Sequence, residues 1–416
     1  MKPKKTGNHK TDIRPQNTWQ KPLQLLMLAV LFLCWLSVGL SYLISEPKDY
    51  SAAERRRLAA APALTFSSIK NGFYLSAMEN YFKDQFPARE SFRNLKTASS
   101  LYGFLRLQDN GYAIRDGHLA LMDMTLNDAS VTYACTQIQY LYDTYLANSG
   151  CRVYYCIIPD KNYYLQLSDP SYPTLDYEAM ETQIRDLLNF ASPIDISDNL
   201  TLASFFQTDT HWKQESLVPV ADTILSAMSA DDQLTSSTKE YRMETALDGF
   251  HGVLCGNMGW NIPSEPMHYL TNDRIRSAEA SHLENQNCST VYDPYYLSYD
   301  GPGADPYSFF LSGSSAFITI KNTAASPAAS EIIAAGEQPS IMQTRELVVF
   351  RDSFGSSIAP LFLAGYDQIT LIDTRYINPS LLGDYITFTD QDVLFLYSTL
   401  LINNSYSLKA PLQNSH

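Results

Sequence analysis

Six cysteines are scattered over 416 residues with no CxxC pair and no grouping with histidine, so the chain shows no structural zinc pattern. Basic charge is scarce beyond the first 21 residues. Those carry Lys2, Lys4, Lys5, Lys10, Arg14 and Lys21 against Asp12, a net of plus five; with a total of −14, the remainder carries minus nineteen. Nucleic-acid binding needs clustered Lys and Arg to release counterions from phosphates, so DNA and RNA are excluded as primary partners. Internal repeats and long low-complexity tracts are missing too, apart from an Ala/Ser/Pro-rich loop around Thr323 to Ala335.

Long apolar runs are limited to one. Leu23 to Ile44 contains no charged residue, and its 22 positions at helical rise cover the roughly 30 Å of bilayer hydrocarbon. The run is longer than the apolar core of an ordinary signal peptide and no small-x-small cleavage pattern follows it, so an uncleaved single-pass anchor is expected. By the positive-inside rule the basic tail stays cytoplasmic and residues from about Glu46 onward lie on the far side. The five cysteines beyond the anchor are an odd number, which leaves at least one thiol free. Cys135 with Cys151 and Cys255 with Cys288 are candidate disulfides; small buried side chains are the alternative reading.

The expected organisation is a cytoplasmic tail over 1–21, an anchor over 22–45, a stalk with juxtamembrane helices over 46–100 and one extracytoplasmic domain over 101–410. Tyr81, Phe82 and Phe86 follow Met78 at helical spacing in a helix ending near Pro87. Tyr112 to Met122 reads as a hairpin turned at Asp116-Gly117. Helices are expected over Val131 to Ala147, Tyr177 to Phe190 and Trp212 to Ser229. Strands are expected over Arg152 to Ile158, Pro193 to Ile196, Ala316 to Ile320, Leu347 to Phe350, Gln368 to Ile372 and Val393 to Tyr397. Alternating helices and apolar strands imply βαβ units and a mostly parallel sheet covered on both faces. Thr235 to Asp300, rich in Gly, Asn, Pro and Tyr, reads as an irregular insertion bordering the site.

Two segments carry chemistry. Leu347-Val-Val-Phe is a buried-strand pattern, Arg351-Asp-Ser-Phe-Gly a turn and Ser356 to Ala364 a helix, which puts Ser353 at the carboxyl end of a strand, where open α/β sheets bind ligands. Backbone N–H groups there can face an oxyanion. Asp209 and His211 are one residue apart, on the same side of an extended or looped segment. A serine hydroxyl becomes a nucleophile when a histidine takes its proton, and a carboxylate orients that histidine. Each residue alone also fits a duller role: Ser353 or Asp209 as a helix cap, His211 as a metal ligand or a satisfied core residue.

Five ordered motifs carry a resemblance. Tyr81-Phe-Lys-Asp-Gln-Phe-Pro-Ala-Arg, Ile158-Pro-Asp-Lys, Asp209-Thr-His-Trp, Arg351-Asp-Ser-Phe-Gly and Leu371-Ile-Asp-Thr-Arg-Tyr together resemble the DHHW family of bacterial envelope proteins, a branch of the SGNH-like proteins related to the alginate O-acetylation proteins. The resemblance spans about Glu46 to Asn404. It implies a three-layer α/β/α SGNH-hydrolase-like fold, with Ser353 as nucleophile, His211 as general base and Asp209 as its orienting carboxylate. It also implies O-acyl transfer or ester hydrolysis on a cell-surface polysaccharide without a cofactor or metal, and a polytopic membrane acyltransferase as a partner. Arg351 stands where the wider superfamily has glycine, a bulk that could restrict the approach to Ser353. Thr210 replaces the first histidine of the family's name. Oxyanion or substrate candidates are the Ser353 amide, Ser314 and Asn261, with Arg375 and Tyr376 after a strand end; Arg375 fits an internal salt bridge equally well. Lys161, after Pro159-Asp160 at another strand end, fits contact with an acidic sugar or developing charge, with a solvated loop lysine as the favoured reading. The competing reading is a catalytically inactive envelope protein that keeps the fold to bind glycan or scaffold an assembly.

Overall fold

A computed structural model describes residues 20–51, 53–228, 241–260, 262–283, 290–299, 304–322 and 345–412. The chain divides into two compact units, Met1–Asp49 with Arg57–Ser91, and Tyr50–Arg56 with Phe92–His416.

In the first unit, helix α1 (Gln20–Ile44) contains an apolar stretch, Lys21–Tyr42, of mean hydropathy 2.3, long enough to cross a membrane. Helix α2 (Phe66–Lys70) opens on a reciprocal capping box between Thr65 and Ser68. Gly72, at φ 74°, turns the chain into α3 (Phe73–Asp84), which stops three residues before Pro87.

In the second unit, β1 (Tyr112–Arg115) and β2 (His118–Leu121) form the expected hairpin. Asp116 and Gly117 both have positive φ, the backbone that a two-residue Asp-Gly turn requires. Helix α4 (Asp128–Leu141) runs on as a wider turn to Leu146. Then come β3 (Arg152–Ile158), α5 (Lys161–Ser168), α6 (Tyr177–Leu187), β4 (Ser192–Pro193) and α7 (Val218–Met228). Next are β5 (Arg242–Phe250), α8 (Val253–Met258), β6 (Glu265–Thr271) and β7 (Ala278–His282). The chain closes with β8 (Phe317–Asn322), β9 (Glu346–Arg351), β10 (Gln368–Ile372) and β11 (Asp392–Ser398).

Seven of these strands make one sheet in the order β4-β3-β11-β9-β10-β8-β7. The first five run parallel; β8 and β7 add two antiparallel strands at one edge. Alternation sorts the side chains. Leu347, Val349, Leu394 and Leu396 pack with α7, whereas Val348, Phe350, Val393, Phe395 and Tyr397 pack with α4 and α6. Each such side chain contributes roughly 1.5–3 kcal/mol by leaving water. A parallel sheet buried on both faces and sandwiched by helices is the expected three-layer α/β/α architecture.

Three local expectations are corrected. Within Thr235 to Asp300 the described residues are less irregular than the composition implies: β5 and β6 pair antiparallel across two register shifts, and β7 joins the main sheet. In β7, Ala278, Ala280 and His282 are buried and Glu279 and Ser281 exposed, a two-residue alternation that small side chains conceal. The helix expected from Trp212 starts only at Val218, because Pro219 suits a first helical turn and cannot continue one from upstream. The disulfide candidate Cys135–Cys151 is not formed: Cys135 is buried in the α4 core and Cys151 sits beside Gln391, both as free thiols. Cys255 is also free, while Cys288 lies outside the described residues.

Candidate active site

Ser353 sits half-buried on the turn at the carboxyl end of β9. The turn is pinned by the residue before it. Asp352 Oδ1 accepts from the Phe354 N–H at 3.0 Å, and Oδ2 accepts from the Ser398 N–H and hydroxyl at 2.8 and 2.6 Å. Asp352 therefore ties the serine turn to the end of the neighbouring strand β11. Gly355 completes the turn, since a Cβ there would lie 2.8 Å from Arg351 Cβ. Among the described residues no backbone acceptor meets the Ser353 N–H, which leaves it available to an oxyanion.

Asp209 and His211 occupy the tip of a loop closed by the Phe205–Trp212 bridge, with the Phe206 N–H donating to the His211 carbonyl at 3.1 Å. Their two-residue spacing produces an Asx turn: Asp209 Oδ1 accepts from the His211 N–H at 3.1 Å. The same oxygen lies 2.6 Å from His211 Nδ1, and Oδ2 accepts from the Val253 N–H at 3.0 Å. Burial alone would push the Asp209 carboxyl up. The His211 ring and hydrogen bond, helped by Arg55 and the Val253 N–H, outweigh it and hold the group below the ordinary carboxylate range. An ionised Asp209 only accepts, so Nδ1 carries a proton and Nε2 is free to receive one. Nε2 lies 2.8 Å from Ser353 Oγ. The structure thus joins Asp209, His211 and Ser353 in one chain of hydrogen bonds.

The imidazole is held by residues that the sequence reading did not single out. Its ring stacks on Tyr307 at 3.9 Å and 11°, and the Phe354 ring flanks it at 5.0 Å. Tyr307 donates to Ser357 Oγ at 2.8 Å, and Trp212 Nε1 donates to the same oxygen at 2.9 Å and to the Phe354 carbonyl at 3.1 Å. Ser357, one turn after Ser353, is therefore where the histidine loop and the serine turn are fastened together. Trp212 in Asp-Thr-His-Trp was the available signal; nothing local pointed to Tyr307.

Behind the loop, Glu265 Oε1 accepts from the N–H groups of Gln207 and Thr208 at 2.6 and 3.2 Å, and Oε2 pairs with Lys213 at 3.2 Å. Lys161 is not the solvated loop lysine expected. It is buried, donates to the Leu119 carbonyl at 2.6 Å, and burial pushes its ammonium down to about 7. The motif Ile158-Pro-Asp-Lys places it at the start of α5, where Asp160 caps the helix through the Asn162 N–H at 2.7 Å.

The remaining candidates behave differently. Arg351 is 1% exposed, with its guanidinium 3.9 Å from Asp373, so its side chain lies inside the fold. Burial lowers its affinity for a proton despite Asp373 beside it. Arg375 forms the internal salt bridge, with Nε and a terminal nitrogen on the two Asp373 oxygens at 2.9 and 2.6 Å. Burial opposes its charge, but the Asp373 pair raises its pKa further still. Tyr376 and Ser314 are exposed at the surface, and Asn261 lies outside the described residues. Among the described residues no cluster of three or more His, Cys, Asp or Glu side chains is placed to hold a metal ion.

No protein-family model and no curated protein matches the sequence. Solved structures do match. The chain is similar to a DHHW family protein from Eubacterium siraeum, with 18% identity, a TM-score of 0.53, and 74% of this chain and 98% of that one covered. It is similar also to Bacillus cereus PatB1, with 16% identity, a TM-score of 0.53 and coverage of 70% and 96%. A PatB1 structure with a sulfonyl adduct gives a TM-score of 0.50 at 16% identity, covering 70% of this chain and 97% of that one. These likenesses show a shared fold, an α/β/α sandwich around a mostly parallel sheet.

Proposed function

We propose that this chain, which has the fold of a DHHW family protein, is a membrane-anchored, extracytoplasmic acyl transferase or esterase acting on acetyl groups of a cell-surface polysaccharide. The observation that carries the reading is the unbroken link from Asp209 through His211 to Ser353, at 2.6 and 2.8 Å. His211 Nε2 takes the hydroxyl proton as Ser353 Oγ attacks the acyl carbonyl. Asp209 stabilises the imidazolium that forms, and the Ser353 N–H faces the developing oxyanion. His211 then returns the proton to the leaving oxygen, which departs and leaves an acyl-serine. A sugar hydroxyl, deprotonated by His211, attacks this ester in the transferase, and water does so in the esterase; the acyl–Oγ bond then breaks as His211 returns the proton to Ser353 Oγ. The two activities differ only in the nucleophile admitted.

The basic tail before α1 supports an orientation with the amino terminus in the cytoplasm and the α/β unit outside. A polytopic membrane acyltransferase is the partner that would supply acetyl groups on that side. Incubation with an activated acetyl ester should leave an acetyl adduct of about 42 Da on Ser353, lost in Ser353→Ala. An adduct that survives this substitution would overturn the serine mechanism. A sulfonyl fluoride probe gives an independent check, since a sulfonyl adduct of PatB1 has been solved.

A further inference from the structure

We infer that α2 and the start of α3 form a second membrane contact, lying in the headgroup region of the leaflet through which α1 emerges. Between Leu64 and Leu75, five large apolar side chains are turned to solvent: Leu64, Phe66, Ile69, Phe73 and Leu75, with Phe66 84% and Leu75 74% exposed. Neither helix has a fully buried residue. So dense an apolar surface marks an interaction site.

The occupant is set by what this surface is fastened to. Tyr42 ends the apolar stretch of α1, where an aromatic ring belongs at the membrane boundary. Its ring meets Phe82 of α3 edge-on at 5.6 Å and Phe86 at 6.0 Å, and its hydroxyl donates to the Phe82 carbonyl. Gln85, the C-cap of α3, accepts from the Lys48 N–H at 2.9 Å and donates to the Lys48 carbonyl at 2.8 Å and the Ala59 carbonyl at 3.2 Å. Asp84 accepts from the Ala59 N–H at 2.8 Å. The carboxyl end of α3 is therefore held at the bilayer surface by the anchor itself. The 12 residues of α3 span about 18 Å, which keeps Phe73 and α2 within reach of that surface. Lys70 closes α2, and phenylalanines beside an exposed lysine are the composition of a helix lying in the interface. Burying these side chains in lipid also removes the exposure that a protein partner would otherwise have to cover.

The test uses the full chain in vesicles of phosphatidylethanolamine and phosphatidylglycerol, and in native membranes. A photoreactive benzoylphenylalanine replaces Phe66, Phe73 or, as a control, the exposed Glu79. A fourth variant carries it at Leu31 within α1. Lipid adducts at positions 66, 73 and 31 but not 79 are expected by mass spectrometry. Adducts from 66 and 73 to another protein, or to a second copy of the chain, would overturn the proposal. So would no adduct there while position 31 labels lipid. No lipid adduct at 31 would remove the anchored helix on which the inference rests. None of these readouts depends on enzymatic activity.

Discussion

His211 Nε2 and Ser353 Oγ, 142 positions apart in the chain, lie 2.8 Å from one another. The contact exists because two loops from different parts of the chain are pinned separately, Asp209 to Val253 and Asp352 to Ser398, and then joined at Ser357.

If Asp209 fixes the tautomer of His211, Asp209→Asn should leave the fold intact and lower kcat by about 10⁴, with Ser353→Ala at least as severe. Release of acetate from an activated ester by both variants and the parent measures this. A loss of less than tenfold in Asp209→Asn would show that the carboxylate does not orient the base.

Asp352 is predicted to be a structural tie. Asp352→Ala removes three accepted hydrogen bonds and leaves the Ser398 N–H buried without a partner, at a cost of about 1–3 kcal/mol. Thermal unfolding should show a clear drop in Tm, and an unchanged Tm would refute the tie.

Arg351 is buried with Nε and one terminal nitrogen unpaired, and Asp373 keeps its bidentate partner Arg375 without it. Removing an incompletely paired buried cation in favour of an apolar side chain is often neutral or stabilising. Arg351→Met should therefore keep or raise Tm; a fall equivalent to more than about 2 kcal/mol would mean that the guanidinium holds the core together.

Gly252 sets the depth of the Asp209 loop. A Cβ there would come within 2.2 Å of the Thr208 carbonyl oxygen and 2.4 Å of Asp209 Cβ. Gly252→Ala must displace the loop, and a shift near 1 Å in a catalytic group costs on the order of 10² in rate. Activity should thus fall much further than Tm, a split that calorimetry and ester hydrolysis on the same sample would reveal.

Lys161 gives a pH signature. Its folded pKa of about 7 lies below the ordinary 10.5, so between these values the unfolded chain binds the proton and the folded chain does not. Stability must rise with pH across that window, the penalty being complete below about pH 7 and relieved above it. The groups acting on this ammonium are Asp209, Glu265, Cys255 and Lys213. In Lys161→Met the rise should disappear; parallel Tm curves for parent and variant between about pH 7 and 9 would show that burial does not lower the proton affinity of Lys161.

Much of the framework was readable from local pattern. β3 and β10 run over the expected residues because two-sided burial demands continuous apolar strands, and the Asp116-Gly117 turn announces its own backbone. The long apolar helix near the amino terminus follows from length and hydropathy alone. Where local signals are weak, the structure departs from the pattern. Small residues hid the alternation of β7, and Pro219 moved the start of α7.

The sequence by itself determined the α/β class, the apolar amino-terminal helix and the residue types able to form an acid/base chain, since each rests on period, length or short spacing. Only the tertiary structure decided that Tyr307 stacks on His211, that Asp352 faces β11 rather than the cleft, and that Arg351 turns inward to Asp373. Those outcomes depend on which distant strand ends become neighbours in the sheet, and no spacing within a single segment encodes that.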